Sequence, residues 1–189
     1  MAVRLSVFVG TSLDGFIART NGDIDWLSDP TKPDAVEDYG YQEFLDTVDV
    51  LVTGRKTFET VLRMKDWPYS GKKVVVLSRH ALNTPPRLKG RVELMNDEPA
   101  EIVKRLSARG AKHLYIDGGQ TIQGFMRAGL PLDLTITRLP ILLGQGIPLF
   151  GSFNQDILLQ HICTKTFPDG LVQTRYRVIA PLAKGFSSG

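Results

Sequence analysis

The stretch His113–Met126, HLYIDGGQTIQGFM, decides how the rest of the chain is interpreted. Its first half is a short apolar run typical of a buried strand, and its second half has the apolar spacing of one helix face. Gly118 and Gly119 stand at the junction between the two. Glycine lets a backbone approach a ligand closely, and a helix amino terminus directs unpaired N–H groups at an anion, so the junction is a candidate phosphate site. The alternative is a plain turn whose glycines only supply a positive φ.

Strand-to-helix patterns recur along the chain and predict the fold class. Val3–Thr11 and Lys73–Ser78 have the composition of buried strands, and Val50–Thr53 runs through a glycine into a second helical pattern. Ile157–Val178 contains two apolar runs around an Asp-Gly turn, which predicts an antiparallel hairpin. We therefore predict a three-layer α/β/α domain with a mostly parallel central sheet and an antiparallel C-terminal hairpin.

Composition limits the classes of protein to be considered. A hydrophobic fraction of 42% and a charged fraction of 23% are ordinary for a globular domain, so we expect a single domain over 1–180 and a flexible tail over 181–189. No apolar run is long enough for a membrane span, and the start of the chain lacks a secretory pattern. With Cys163 as the single cysteine, a cytoplasmic location is expected and no zinc cluster is predicted.

The distribution of cations favours a small anionic ligand over nucleic acid. The net charge is +3, but lysine and arginine are scattered along the chain and form no basic stripe. Small or basic residues follow four predicted strands, at Thr11, Gly54, Ser78–Arg79 and Gly118–Gly119. Ligands of open α/β sheets bind at the carboxyl ends of strands, so these positions predict one phosphate-binding edge.

The loop and helix between the first two strands carry a further prediction. Residues 19–34 contain several turn-forming pairs and one tryptophan, Trp26, which is typical of a binding loop or lid. Ala35–Val48 has a near-helical apolar spacing and is predicted as an amphipathic helix. No G-x-G-x-x-G follows the first strand and no Walker A motif occurs, which argues against an ordinary Rossmann or P-loop site.

Together these segments resemble the dihydrofolate reductase superfamily. More narrowly, the chain is similar to the C-terminal reductase domain of bacterial bifunctional riboflavin biosynthesis proteins and its stand-alone relatives. The resemblance is carried, in order, by VGTSLDGFIA (9–18), the Trp26 loop, VLVTGRKTFE (50–59), VVVLSR (74–79) and YIDGGQTIQGFM (115–126). It implies NADPH-dependent reduction of a C=N or C=O group in a small heterocyclic or ribosylaminopyrimidine substrate, and a homodimer.

The resemblance also implies which residues hold the cofactor. By this resemblance the nicotinamide pocket is assigned to Gly10, Thr11, Ile17 and Ala18, and the adenosine phosphates are assigned to Gly54, Arg55, Lys56 and Thr57. The adenine-ribose end is assigned to Leu77, Ser78 and Arg79. The pyrophosphate is assigned to Gly118, Gly119, Gln120, Thr121 and Ile122. Trp26 is assigned to a mobile loop beside the substrate. Arg55, Lys56 and Arg79 are expected to favour NADPH over NADH, since cations near the ribose accommodate a 2′-phosphate. Valine at Gly118 or Gly119 is expected to block the cofactor without unfolding the domain.

The identity of the proton donor stays open at this point. Asp14, in the Ser-Leu-Asp-Gly turn, and Asp38 are the candidate catalytic carboxylates, although Asp-Gly is common in turns for local reasons. Asp34 and Glu37 compete with Asp38 for the position of the single acid of folate reductases. Dihydrofolate reduction and a catalytically silent nucleotide-binding module are the alternatives to a riboflavin-type reductase.

Overall fold

The computed structural model describes residues 2–27, 38–64, 66–69 and 71–179, and within these it forms one large and one small sheet. The strands are β1 (Arg4–Thr11), β2 (Phe16–Ala18), β3 (Val50–Gly54), β4 (Lys73–Leu77), β5 (Val92–Met95), β6 (His113–Asp117), β7 (Asp133–Arg138), β8 (Ile147–Pro148), β9 (Leu159–Thr166) and β10 (Val172–Val178). The helices are α1 (Tyr41–Asp46), α2 (Arg55–Leu62), α3 (Pro99–Ala108) and α4 (Gly119–Arg127), with single 3₁₀ turns at Asp25–Leu27 and Pro86–Leu88.

The central sheet has the order β5-β4-β3-β6-β1-β7-β10-β9. The first six of these strands are parallel, with β6 between β3 and β1. β10 then runs antiparallel to both β7 and β9. The predicted mostly parallel sheet with an antiparallel C-terminal hairpin is therefore confirmed. The short antiparallel pair β2–β8 lies apart from this sheet, and nothing in the sequence predicted β8.

Helices cover the sheet on both faces because its central strands are apolar on both sides. On one face α3 and α4 bury Ile102 and Phe125 completely in a core with β1, β3 and β6. On the other face α1 and α2 contribute Leu45 and Phe58 to a second core that includes Tyr115. The alternation of side chains along a strand explains how one strand serves both cores. The result is the predicted three-layer arrangement.

The predicted helix over Ala35–Val48 is wrong in its beginning, because α1 starts only at Tyr41. Tyr39 has φ 56° and Gly40 has φ 82°, and consecutive left-handed residues cannot belong to a right-handed helix. Tyr39 is held there by contacts distant in sequence: its hydroxyl donates to Asp169, and its carbonyl accepts from Gln173 Nε2 at 3.0 Å. Residues 35–37 lie outside the described residues.

The β9–β10 hairpin closes through the predicted Asp-Gly turn. Gly170 has φ 87°, the left-handed conformation that glycine adopts without steric cost, and its N–H donates to the Phe167 carbonyl at 3.0 Å. The tail predicted for 181–189 falls outside the described residues. None of the helices in the described part of the chain has the length and apolar character needed to cross a bilayer.

Candidate functional site

A cleft of about 1260 Å³ opens at the carboxyl ends of the parallel strands, where the sequence predicted a ligand-binding edge. Thirteen of the sixteen residues assigned to cofactor binding line it, and the assignment itself remains a prediction. They come from the ends of β1, β3, β4 and β6, from β2 and from the first turns of α2 and α4. The assigned residues in the wall are Gly10, Ile17, Ala18, Gly54, Arg55, Lys56, Thr57, Leu77, Ser78, Gly118, Gly119, Gln120 and Thr121.

The other three assigned residues do not line the cleft. Ile122 is fully buried in the core, so a direct contact between its side chain and a ligand has no support from this arrangement. Thr11 is buried where β1 pairs with β7, opposite Arg138. Arg79 is exposed beyond the end of β4, outside the wall. Direct cofactor contacts by Thr11 and Arg79 have no support from this arrangement.

The β3–α2 junction presents a helix amino terminus and two cations to the cleft. Gly54, the N-cap of α2, has no side chain to satisfy the first N–H groups of the helix. Arg55 and Lys56 follow directly and line the wall. Arg55 Nε donates to Glu59 Oε1 at 2.6 Å, one turn further along the exposed surface of α2. An anion bound by Arg55 would therefore compete with Glu59 for the guanidinium group.

The β6–α4 junction presents the second helix amino terminus, and its glycines are also needed for packing. Gly118 has φ +90°, and a Cβ at this position would overlap Thr57 Oγ1 on α2 and lie 3.3 Å from Thr57 Cβ. A Cβ on Gly119 would lie 3.0 Å from Ile17 Cδ1 and 3.1 Å from the Pro148 carbonyl oxygen. The positive φ and the crowding by Thr57 argue against the expectation that valine at Gly118 leaves the fold intact, and that expectation stays a prediction.

The predicted nicotinamide and adenine ends of the cleft are both closely packed. A Cβ on Gly10 would lie 2.7 Å from Leu27 Cδ2. Leu27 directly follows Trp26, so this segment packs against the end of β1. At the other end, the Ser78 hydroxyl donates to the His80 carbonyl at 2.9 Å and accepts from the His80 N–H at 3.1 Å. Ser78 thus shapes the turn after β4 as well as lining the cleft.

Trp26 is buried, with 7% of its surface exposed, and it is not part of the cleft wall in the described part of the chain. Its neighbours Ile24 and Leu27 line the wall instead. The indole Nε1 is buried without a hydrogen-bond partner among the described residues, which include 2–27 but not 28–37. The assignment of Trp26 to a mobile lid stays a prediction.

The carboxylate of Asp14 lies outside the cleft and binds backbone N–H groups. Its two oxygens accept the N–H groups of Leu143, at 3.2 Å, and Gly144, at 2.8 Å. The Ser12 hydroxyl and these N–H groups lower the pKa of Asp14, which keeps this exposed carboxyl ionised. These contacts account for the Ser-Leu-Asp-Gly turn by joining it to the segment before β8. A catalytic role for Asp14 stays a prediction with no geometric support.

Asp38 is likewise occupied by the backbone. It accepts the N–H of Gln42 at 2.8 Å and of Gly40 at 2.9 Å, and these bonds lower its pKa. Asp38 therefore stabilises the start of α1 and does not line the cleft. A catalytic role for it also stays a prediction. The competing Asp34 and Glu37 lie outside the described residues.

A carboxyl that the sequence interpretation passed over lies in the cleft wall. Asp117, the last residue of β6, is partly accessible from the cleft, and its Oδ1 accepts the Gly118 N–H at 2.8 Å. Its Oδ2 accepts the Tyr69 hydroxyl at 3.2 Å. The protein packed around the carboxyl raises the pKa of Asp117, although both hydrogen bonds act in the opposite direction. Asp117 can therefore hold a proton over a wider pH range than Asp14 or Asp38.

Three tyrosines surround this carboxyl on the same face of the sheet. Burial, followed by the charge of Asp117, raises the pKa of Tyr41, Tyr69 and Tyr115. The Tyr115 hydroxyl donates to the Phe8 carbonyl at 2.8 Å. The signal in the sequence was available: Asp117 directly precedes the Gly-Gly pair and alternates with Tyr115 along β6, which places both side chains on one face.

No group of three or more histidine, cysteine or acidic residues in the described part of the chain is arranged to hold a metal ion. The chemistry available in the cleft is that of helix amino termini, cations on α2 and the Asp117 carboxyl. These groups suit a ligand with phosphates and a proton transfer beside it.

Comparison with known proteins places the chain in a family. The family model described as the RibD C-terminal domain matches residues 4–173. "Uncharacterized protein YyaP" of Bacillus subtilis (strain 168) is 31% identical over 187 residues, covering 92% of this chain and 94% of the relative. "Uncharacterized protein YwjB" of the same organism is 31% identical over 179 residues, covering 93% and 98%.

Solved structures agree with the family match. A Shewanella sp. PV-4 structure named "Putative riboflavin biosynthesis protein" is 40% identical with a TM-score of 0.85, covering 94% of this chain and 99% of that chain. The Thermotoga maritima diaminohydroxyphosphoribosylaminopyrimidine deaminase/5-amino-6-(5-phosphoribosylamino)uracil reductase is 13% identical with a TM-score of 0.70, covering 94% and 57%, and shows the shared fold. This chain belongs to the RibD C-terminal domain family.

Proposed function

We propose that this protein is an NADPH-dependent reductase that transfers a hydride to a C=N or C=O group of a small heterocyclic substrate. The observation that carries the proposal is the convergence of three features on one cleft. The amino termini of α2 and α4 both open into it without side-chain caps, and Asp117 lies in the wall directly before α4. Membership of the RibD C-terminal domain family supports a reductase.

The cleft fits a dinucleotide phosphate in its chemistry. Uncapped helix amino termini stabilise anions through their free N–H groups and the helix dipole. Gly118 and Gly119 allow the backbone to approach the pyrophosphate, while Arg55 and Lys56 supply positive charge beside α2. When bound, the nicotinamide supplies the hydride, and the protein contributes position and electrostatics.

Asp117 is the residue that we assign to proton transfer. A reduced C=N or C=O group needs a proton at the nitrogen or oxygen, and a carboxyl whose pKa is raised holds that proton to higher pH than an ordinary carboxyl does. The Gly118 N–H and the Tyr69 hydroxyl each bond one of its oxygens, so the carboxyl is fixed while it remains accessible from the cleft. The neighbouring aromatic groups limit the access of water to it.

For the substrate we propose a ribosylaminopyrimidine of the 5-amino-6-(5-phosphoribosylamino)uracil type, in preference to dihydrofolate. The support is the family and the activity named for the Thermotoga maritima relative in fold. The test is to titrate NADPH and then to compare kcat/KM for both acceptors side by side. A higher kcat/KM for dihydrofolate contradicts the substrate class, and tight NADPH binding without turnover on any acceptor favours a silent nucleotide-binding module.

Cofactor preference gives a direct prediction. Arg55→Met is expected to weaken NADPH binding roughly 10- to 100-fold and to leave NADH binding nearly unchanged, because a charge-assisted hydrogen bond contributes ~1.5 to 3 kcal/mol. Glu59→Gln removes the negative charge that competes for the Arg55 guanidinium and is expected to strengthen NADPH binding. Calorimetric titration with both cofactors measures the effect, with Arg79→Met as the comparison outside the wall. Equal affinities of the unmodified protein for NADPH and NADH would refute the preference.

We also propose a homodimer formed through the C-terminal hairpin. β9 is at the edge of the sheet, and apolar side chains are exposed on and beside it: Leu158 (57%), Leu159 (38%), Ile162 (43%) and Ile179 (43%). Apolar groups on an unpaired strand edge favour association with a second chain. A cytoplasmic location and the absence of nucleic-acid or membrane partners belong to the same proposal.

Light scattering at micromolar concentration tests the dimer. Ile162→Lys is expected to give a monomer, because a charge on β9 would be buried without a partner. Leu94→Lys is the matched control: it changes an exposed leucine (42%) on β5, at the opposite edge of the sheet. A monomeric unmodified protein, or a dimer lost equally in both variants, contradicts the proposed interface.

A further inference from the structure

Tyr69 is a buried residue that neither the sequence nor the family assignment connects with the reaction. It lies in the segment before β4, and only 5% of its surface is exposed. Its ring packs edge-on against Trp67, with 5.2 Å between centroids, and Trp67 packs in turn on Phe58 of α2. These contacts leave the phenol little freedom to move.

Among the described residues, the hydroxyl of Tyr69 has one hydrogen-bond partner, the Asp117 carboxyl, with 3.2 Å between the hydroxyl and Oδ2. Thr53 is the neighbour of Asp117 in the β3–β6 register and is buried, with 1% of its surface exposed, but its Oγ1 makes no hydrogen bond among the described residues. Among described side chains, Tyr69 is therefore the donor that orients Asp117, while the Gly118 N–H holds the other oxygen.

We propose that Tyr69 is a positioning residue, whose hydroxyl holds Oδ2 of Asp117 so that the carboxyl presents its proton to the substrate in the cleft. This inference rests on the proposed function. Each carboxyl oxygen keeps one protein donor, and the acidic proton is directed towards the open side. Loss of the hydroxyl would leave the Gly118 N–H as the single donor among the described residues, which restricts rotation about the terminal bond less than two donors do.

The hydrogen bond also sets the range of pH in which Asp117 is protonated. Burial raises the pKa of Asp117, and the Tyr69 hydroxyl lowers it again by stabilising the charged form. The other titratable groups facing the carboxyl are the phenols of Tyr41, from α1, and Tyr115, from β6. Both are neutral near neutral pH because their own pKa values are raised, so Tyr69 is the side chain whose removal changes the titration.

Tyr69→Phe keeps the packed ring and removes only the hydroxyl. We expect kcat to fall about 10-fold, the upper end of the range for one lost hydrogen bond between neutral groups, and the alkaline limb of the pH profile to move to higher pH. In an Asp117→Asn background the same change is expected to have no further effect on kcat. Tyr176→Phe, which removes a phenol on β10 outside the cleft wall, is the matched control.

Infrared difference spectroscopy gives a readout that needs neither cofactor nor turnover. The carboxylic acid band that disappears in Asp117→Asn belongs to Asp117, and its titration is expected to shift to higher pH in Tyr69→Phe. An unchanged titration overturns the positioning role whatever the protein reduces. A shifted titration with unchanged kcat also overturns it. A shifted titration in a protein that reduces no acceptor overturns the proposed reductase function, and with it the part of Tyr69 in catalysis.

Discussion

Asp117→Asn is expected to lower kcat roughly 10²- to 10⁴-fold while NADPH binding is retained, since this range is typical for the loss of a general acid. The amide preserves the shape of the side chain and can still accept the Tyr69 hydroxyl, but it has no acidic proton. Because the protonated carboxyl is the active form, kcat of the unmodified protein is expected to fall as pH rises through the raised pKa of Asp117. Steady-state rates across pH, together with cofactor titration, measure both effects.

Asp14→Asn and Asp38→Asn are the comparison variants for this experiment. Each removes a carboxylate that binds backbone N–H groups, so each is expected to affect the local turn more than the chemical step. A loss of kcat in either variant larger than that in Asp117→Asn would transfer the role of proton donor to that residue. Retained activity in Asp117→Asn would exclude Asp117 as the acid.

Gly118→Ala is expected to destabilise the folded protein by ~2 to 5 kcal/mol, before any effect on cofactor binding. The left-handed conformation costs ~1 to 2 kcal/mol for a residue with a Cβ, and crowding in a packed site adds ~1 to 3 kcal/mol. The crowding arises because the new Cβ would overlap Thr57 Oγ1. Denaturant unfolding measures the difference in free energy of unfolding between the variant and the unmodified protein.

Gly124→Ala is the matched control within the same helix. A Cβ on Gly124 meets nothing within 4 Å among the described residues, and alanine is the better helix former by ~1 kcal/mol. This variant is therefore expected to be as stable as the unmodified protein or more so. Normal stability of Gly118→Ala combined with lost NADPH binding would mean that Gly118 serves the ligand alone.

The elements predicted well from sequence are those whose pattern is local. The strand-to-helix junctions at Gly54 and Gly118 combine an apolar run, a glycine and a helical spacing within about ten residues, which is a strong signal. The hairpin β9–β10 is signalled by its Asp-Gly turn in the same way. These patterns also predicted at which edge of the sheet the cleft lies, because parallel strands bring their carboxyl ends to one edge.

The features that the sequence did not reveal depend on contacts between distant segments. α1 starts late because Tyr39 is bonded to Asp169 and Gln173, far away in the chain. The role of Asp14 depends on Leu143 and Gly144, and the raised pKa of Asp117 depends on what packs around it. Residue type gave the candidates for an acid, but burial and partners separate a proton donor from a turn residue.

The order of strands has a consequence for how the chain assembles during synthesis. β1 is the first strand of this sequence, yet its neighbours are β6 and β7, with Arg4 opposite His113 and Ser6 opposite Asp133. β3, β4 and β5 pair with one another from a short segment and can associate early. The pairing of β1 with β6 and β7 forms slowly by comparison, because a long loop must close first. The apolar β1 is thus the segment expected to wait longest without partners, and the segment most in need of chaperone protection until residues beyond 133 have been made.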